Sequence, residues 1–173
     1  MIIIYLGRRG AGKTLSMVKD AYIYYMEGRR VISNMEGISF AEFKSNDEIK
    51  AIDKNSDIDN CVLLIDELQI FFDSRRSMTK GNINFSNFVQ QIRKRGVIIL
   101  GTTQFSNSID RRLRDHTDII CYPTFHKKYN VCELTYMDMT SIQDVGIEEY
   151  DTVKTFYNAQ DIFNLYNTNE MVK

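Results

Sequence analysis

Residues 7–14 read GRRGAGKT, a complete G-x-x-x-x-G-K-[ST] run. That chemistry suits phosphate. Gly7, Gly10 and Gly12 allow the backbone turns that aim N–H groups at phosphate oxygens. Arg8, Arg9 and Ala11 complete the loop, and Leu15 follows it into the next element. Lys13 brings a mobile positive charge to the terminal phosphates of a nucleotide, and Thr14 offers a hydroxyl to Mg²⁺. A helix beginning here adds the partial positive charge of its N-terminus. The pattern predicts binding of a nucleoside triphosphate together with Mg²⁺.

Three further groups join it. Asp66-Glu67 closes the apolar run Cys61-Val62-Leu63-Leu64-Ile65. A carboxylate at the end of a buried strand is costly unless a positive charge meets it. Mg²⁺ held by Asp66 opposite the Thr14 hydroxyl supplies that charge. Glu67 can then orient or deprotonate water, which makes hydrolysis the expected reaction. Gln104 ends the next buried strand, and its amide can hydrogen-bond a γ-phosphate oxygen or the attacking water. The arginines leave more than one reading open. Arg93 and Arg95 close the helix before that strand. They should lie at the far end of the sheet from their own nucleotide, where they could serve a neighbouring subunit's. Arg111, Arg112 and Arg114 are alternatives, and Arg8 and Arg9 could meet phosphate or a neighbour. A solvated cation or a DNA-phosphate contact is an equal reading for each.

These groups need strands that end at one edge. Ile2–Leu6 is short, β-branched and apolar, and reads as a buried strand. Leu15, Val18, Ala21, Tyr22 and Tyr25 recur at helical spacing, and Gly28 stops that helix. Val31–Ser33 is a second strand, turning at Asn34–Gly37. Residues 40–53 read as a surface helix and 54–60 as a loop. The run 61–65 lacks polar alternation, so it is a strand covered on both faces, as in a parallel sheet. Residues 73–82 form a polar loop. Phe85, Phe88, Val89 and Ile92 mark a helix that ends at Arg93–Gly96. Val97–Leu100 is a third buried strand, leading to Thr102-Thr103-Gln104. Residues 109–114 suggest a short basic helix, and Thr117–Tyr122 a strand stopped by Pro123. A turn at 126–130 then leads into an antiparallel partner, Val131–Met137. The last thirty residues of the chain are expected to wrap the edge of the sheet.

The 173 residues suit one domain over 1–173. A net charge of -1 argues against a surface coated in nucleic acid but leaves room for a local basic patch. The cysteines, Cys61, Cys121 and Cys132, are scattered through apolar settings and read as buried thiols of a reducing, cytoplasmic compartment. His116 and His126 lack partners at metal-ligand spacing. No stretch approaches a membrane span. The fold expected from the alternation of strands and helices is α/β. Its mainly parallel central sheet is flanked by helices and carries a C-terminal antiparallel extension.

GRRGAGKT, VISNMEG, CVLLIDELQIFFDSR, RKRGVIILGTTQ and IDRRLRD, in that order over roughly residues 1–125, resemble the zonula occludens toxin-like ATPases of the FtsK–HerA group. The resemblance implies a RecA-like P-loop NTPase fold of the ASCE type, ATP as the nucleotide, phosphate and Mg²⁺ binding by Lys13 and Thr14, metal binding by Asp66, and a catalytic Glu67. It also implies a γ-phosphate sensor at Gln104 and a homo-oligomer, a hexameric ring that moves double-stranded DNA. With no membrane segment in the chain, the soluble branch that packages viral DNA is the nearer resemblance, with a capsid or membrane-embedded virion protein as docking partner. Arg75, Arg76 and Lys80 in the polar loop are candidates for DNA contact; the rival reading is a solvated loop. One alternative is a deoxynucleoside kinase of the thymidine kinase type, whose segment Asp66–Phe71 imitates. Such kinases usually add a four-cysteine zinc site, which these cysteines cannot build. Another is a nucleotide-gated assembly or scaffold protein.

Overall fold

The computed structural model describes residues 1–53, 55–71, 85, 87–104, 111–140 and 152–166. Its eight strands are β1 (Ile2–Leu6), β2 (Arg30–Ser33), β3 (Glu42–Phe43), β4 (Cys61–Ile65), β5 (Ile98–Thr103), β6 (Ile119–His126), β7 (Val131–Asp138) and β8 (Thr152–Asn158). They form one sheet in the order β3-β2-β4-β5-β1-β6-β7-β8. The first six in that order pair in parallel, and β7 and β8 extend the sheet antiparallel. Helices among the described residues include α1 (Lys13–Met26), α2 (Asn46–Lys50), α3 (Arg111–Asp115) and α4 (Gln160–Phe163).

Both faces of the parallel sheet are covered, which explains the unbroken apolar strands. Ile3, Tyr5, Val62, Leu64 and Leu100 face α1 through Leu15, Met17, Val18 and Ala21. Ile2, Ile4, Leu63, Ile65 and Ile99 face the opposite side, against Ile49, Phe85, Phe88, Val89 and Ile92. The expected helical stripe at 85–92 is therefore buried as a unit; residues 85 and 87–89 are helical and 90–96 form turns. The antiparallel wing is tied to α1 by a buried polar cluster. The hydroxyls of Tyr5 and Tyr136 donate to Asp20 Oδ2 at 2.5 and 2.8 Å, and Lys19 pairs with Oδ1 at 2.8 Å.

Four expectations need correction. Residues 40–53 are not one helix: β3 comes first, and α2 begins only after Ser45. Ser45 and Glu48 form a reciprocal capping box there, and Ser45-Asn46-Asp47-Glu48 carries the signature of that motif. Pro123 does not stop its strand, since β6 runs on to His126. Pairing of β6 with β1 ends at Cys121, so beyond it proline's missing N–H costs no bond on that side. The third buried strand is longer than expected and includes Thr102 and Thr103. The C-terminal part supplies the edge strand β8 rather than a cover for the edge, and Tyr166 then bridges to Ile38. The polar loop at 73–82, with Arg75, Arg76 and Lys80, lies outside the described residues.

Candidate active site

The phosphate loop leaves β1 at Leu6 and enters α1 at Lys13. Gly10 and Gly12 hold φ of 76° and 91°, values open to glycine at little cost. Space limits Gly12 as well, since a Cβ there would lie 3.0 Å from Cys132 Sγ. The Ser16 hydroxyl donates to the Gly12 carbonyl at 2.7 Å and lies 3.2 Å from Tyr157 Oη, so the wing braces the loop from behind. Lys13 Nζ donates to the Arg8 carbonyl at 3.1 Å. Burial lowers its pKa, partly opposed by the nearby charges of Asp66 and Glu67. Arg8 and Arg9 are exposed, whereas the Leu15 side chain is buried in the core beneath the helix. Leu15 can therefore meet phosphate only through its backbone N–H.

The acidic pair stands opposite. Asp66 Oδ1 accepts from the Thr14 hydroxyl at 3.4 Å and from the Thr102 hydroxyl at 2.5 Å. A hydroxyl facing a carboxylate at this distance is a donor pair that would suit Mg²⁺. Asn34 fixes the backbone beneath: its Oδ1 accepts the Asp66 N–H at 2.8 Å, and its Nδ2 donates to the Asp66 carbonyl at 3.0 Å. Glu67 is left-handed, with φ 60° and ψ 58°. A non-glycine residue there costs of order 1–3 kcal/mol and persists only when its surroundings hold it. They do so here. Its N–H donates to Thr102 Oγ1 at 3.1 Å, Gln104 Nε2 donates to its Oε1 at 3.4 Å, and Gln69 Nε2 donates to its Oε2.

Topology explains this convergence. The strand order places β5 between β1 and β4, so its end reaches both neighbours. The Gly7 N–H donates to the Thr103 carbonyl at 3.4 Å, while Thr102, Thr103 and Gln104 engage the acidic turn. Gly7, Lys13, Thr14, Asp66, Glu67 and Gln104 thus come together at the carboxyl ends of the strands.

The arginines do not join them. Arg93 pairs with Asp118 at 2.5 Å, and Asp118 also accepts the Ile2 N–H, at the opposite end of β1. Arg95 pairs with Asp59 at 2.7 Å and stacks on Phe88. Arg114 is exposed on α3, which leads into the start of β6. Placement of Arg93 and Arg95 at the far end agrees with expectation; Arg95 is also held by chain carbonyls of Asp53 and Ser56.

Sequence reasoning passed over Thr102, Thr103 and Gln69 and treated Asn34 only as a turn marker. Threonines in a strand buried on both sides carried the signal, because buried hydroxyls require partners. Among the described residues no helix is long and apolar enough to cross a membrane.

The profile of the family described as Zonular occludens toxin (Zot) matches residues 1–171. No curated protein sequence matches the chain. Among solved structures, the N-terminal domain of zonular occludens toxin from Neisseria meningitidis superposes with TM-score 0.69 at 19% identity, covering 96% of this chain and 98% of that one. The genome packaging NTPase from Sulfolobus turreted icosahedral virus 2, in complex with ATPγS, gives TM-score 0.60 at 14% identity, covering 87% and 95%. The flagellar accessory protein FlaH from Methanocaldococcus jannaschii gives 0.51 at 10%, covering 80% and 77%. These likenesses establish the RecA-like P-loop NTPase fold.

Proposed function

The chain belongs to the zonular occludens toxin family, and from that premise we propose that it is an ATP-hydrolysing motor that moves double-stranded DNA, with packaging of a viral genome into a capsid as its task. One observation carries the hydrolytic part: the Glu67 carboxylate is held by Gln104 beside the Thr14–Asp66 pair. Phosphoryl transfer depends chiefly on positioning and electrostatics. Loop N–H groups and Lys13 bind the phosphates. Thr14 and Asp66 would hold Mg²⁺, which would neutralise phosphate charge. Glu67 takes the proton of the attacking water. Gln104 exchanges its contact with Glu67 for the γ-phosphate, which makes it the sensor of nucleotide state.

The DNA part is supported by family membership and by a fold shared with a genome packaging NTPase. A chain with one nucleotide loop needs neighbours to do mechanical work, so we assign a homo-oligomeric ring, a hexamer of the FtsK–HerA type. Arg93, 74% exposed at the far end of the sheet, and exposed Arg114 are the arginines best placed to reach a neighbour's nucleotide. Arg95 is less so: its side chain is only 14% exposed and is held by the Asp53 and Ser56 carbonyls as well as by Asp59. The motor acts in the cytoplasm and docks at a capsid vertex or a membrane-embedded virion protein.

The reaction product tests the reading. Release of inorganic phosphate, stimulated by duplex DNA and accompanied by ATP-dependent assembly in light scattering, supports the motor. A phosphorylated nucleoside as product overturns it in favour of a kinase.

A further inference from the structure

Gln69 takes no part in the proposed chemistry, yet it touches the carboxylate on which hydrolysis depends. Its Nε2 donates to Glu67 Oε2, and its Oε1 accepts from the Thr103 hydroxyl at 3.1 Å. The amide is therefore held at both ends, once by the acidic turn and once by β5. Thr103 is itself 1% exposed, so the outer anchor is part of the core. Gln104 differs: it reaches Glu67 Oε1 at 3.4 Å, a long contact from a partly exposed residue at a strand end. Among the described residues the carboxylate thus carries one stitched donor and one exchangeable donor, on different oxygens.

We propose that Gln69 is a positioning residue that fixes the Oε2 side of the Glu67 carboxylate against β5, so that Oε1 is the oxygen presented to water. The assignment rests on the reading of Glu67 as the water-activating group. A carboxylate on a flexible stem turns about its terminal torsion, and an attacking water needs one oxygen in one place. The left-handed backbone of Glu67 fixes where the side chain starts. The Thr103–Gln69 stitch fixes where it ends. When γ-phosphate draws Gln104 away, Oε1 is released while Oε2 stays tied, so the orientation survives the exchange.

The test is single-turnover ATP hydrolysis, with ATP affinity measured in parallel, on wild type, Gln69→Met, Thr103→Val, Thr103→Ser and Glu67→Gln. Methionine keeps the length of Gln69 without its amide, and serine keeps the Thr103 hydroxyl. The hydrolysis rate of Gln69→Met should fall roughly 10- to 100-fold with ATP affinity within about 2-fold of wild type. Thr103→Val should fall in the same direction, and Thr103→Ser should keep the wild-type rate. A wild-type rate in Gln69→Met, equal loss of rate and affinity, or equal rates for Thr103→Val and Thr103→Ser overturns the proposal. Should Gln69→Met fail to fold, the Thr103 pair still decides. Wild type and Glu67→Gln separate the two readings. Absence of hydrolysis in wild type overturns the proposed function, whereas loss in Glu67→Gln beside a normal Gln69→Met overturns the role of Gln69 alone.

Discussion

Leu68 is seated directly on Gly101. A Cβ added at Gly101 would lie 2.3 Å from Leu68 Cδ1 and 2.4 Å from its Cγ. Leu68 is fully buried, so its side chain has nowhere to withdraw. The glycine lets the turn after β4 drop onto the backbone of β5. That contact sets the height of Glu67, one residue earlier, above the Thr102–Gln104 end.

Gly101→Ala should therefore damage both stability and chemistry. Overpacking of this kind costs about 1–3 kcal/mol. Lifting Leu68 also displaces Glu67, so ATP hydrolysis should slow roughly 10-fold or more while ATP still binds. Urea unfolding and single-turnover kinetics check the two halves. A variant as stable and as fast as wild type contradicts the seating of Leu68 on Gly101.

Asp20→Ala should loosen the wing from α1. The Tyr5 ring is fully buried, and Asp20 is the acceptor its hydroxyl uses. Burial, reinforced by Asp20, pushes the Tyr5 phenol well above its usual pKa, so it stays a donor at any ordinary pH. Deleting the carboxylate strands two tyrosine hydroxyls, at a cost of about 2–3 kcal/mol in urea unfolding. A loss below about 0.5 kcal/mol would show that the cluster carries no stability.

How far the sequence could be read follows burial. The phosphate loop, the apolar run 61–65 and the stripe Phe85–Ile92 declared themselves, because local patterning and final environment agree there. The same held for the strand ends that deliver Asp66, Glu67 and Gln104. Pro123 misled because the cost of a proline depends on which side of a strand has a neighbour, a tertiary fact. The start of α2 was legible in Ser45 and Glu48, but a charged stretch hid it. Gln69 was beyond reach, since its partner Thr103 lies 34 positions away and only the fold brings them together.

The thiols give a pH prediction. Cys61, Cys121 and Cys132 are buried and free. Burial pushes Cys61 from the usual 9.0 to about 11 and raises Cys121 further. The folded state favours the protonated thiol, so this contribution is complete below pH 9.0 and is lost as pH rises through about 11. The urea midpoint should stay level to about pH 9 and then fall, less steeply in Cys61→Ala. A thiol reagent at neutral pH should label the native protein slowly and the unfolded chain fully. Rapid labelling of the native protein contradicts the burial.

The proposed hydrolysis requires Glu67 to activate water at a site where Lys13, Thr14 and Asp66 hold the nucleotide. ATP turnover with and without duplex DNA, in wild type beside Glu67→Gln, is the decisive measurement. Wild type should hydrolyse ATP and speed up with DNA. Glu67→Gln should bind ATP with unchanged affinity and lose at least about 100-fold in rate. Wild-type-like turnover in Glu67→Gln would contradict the account.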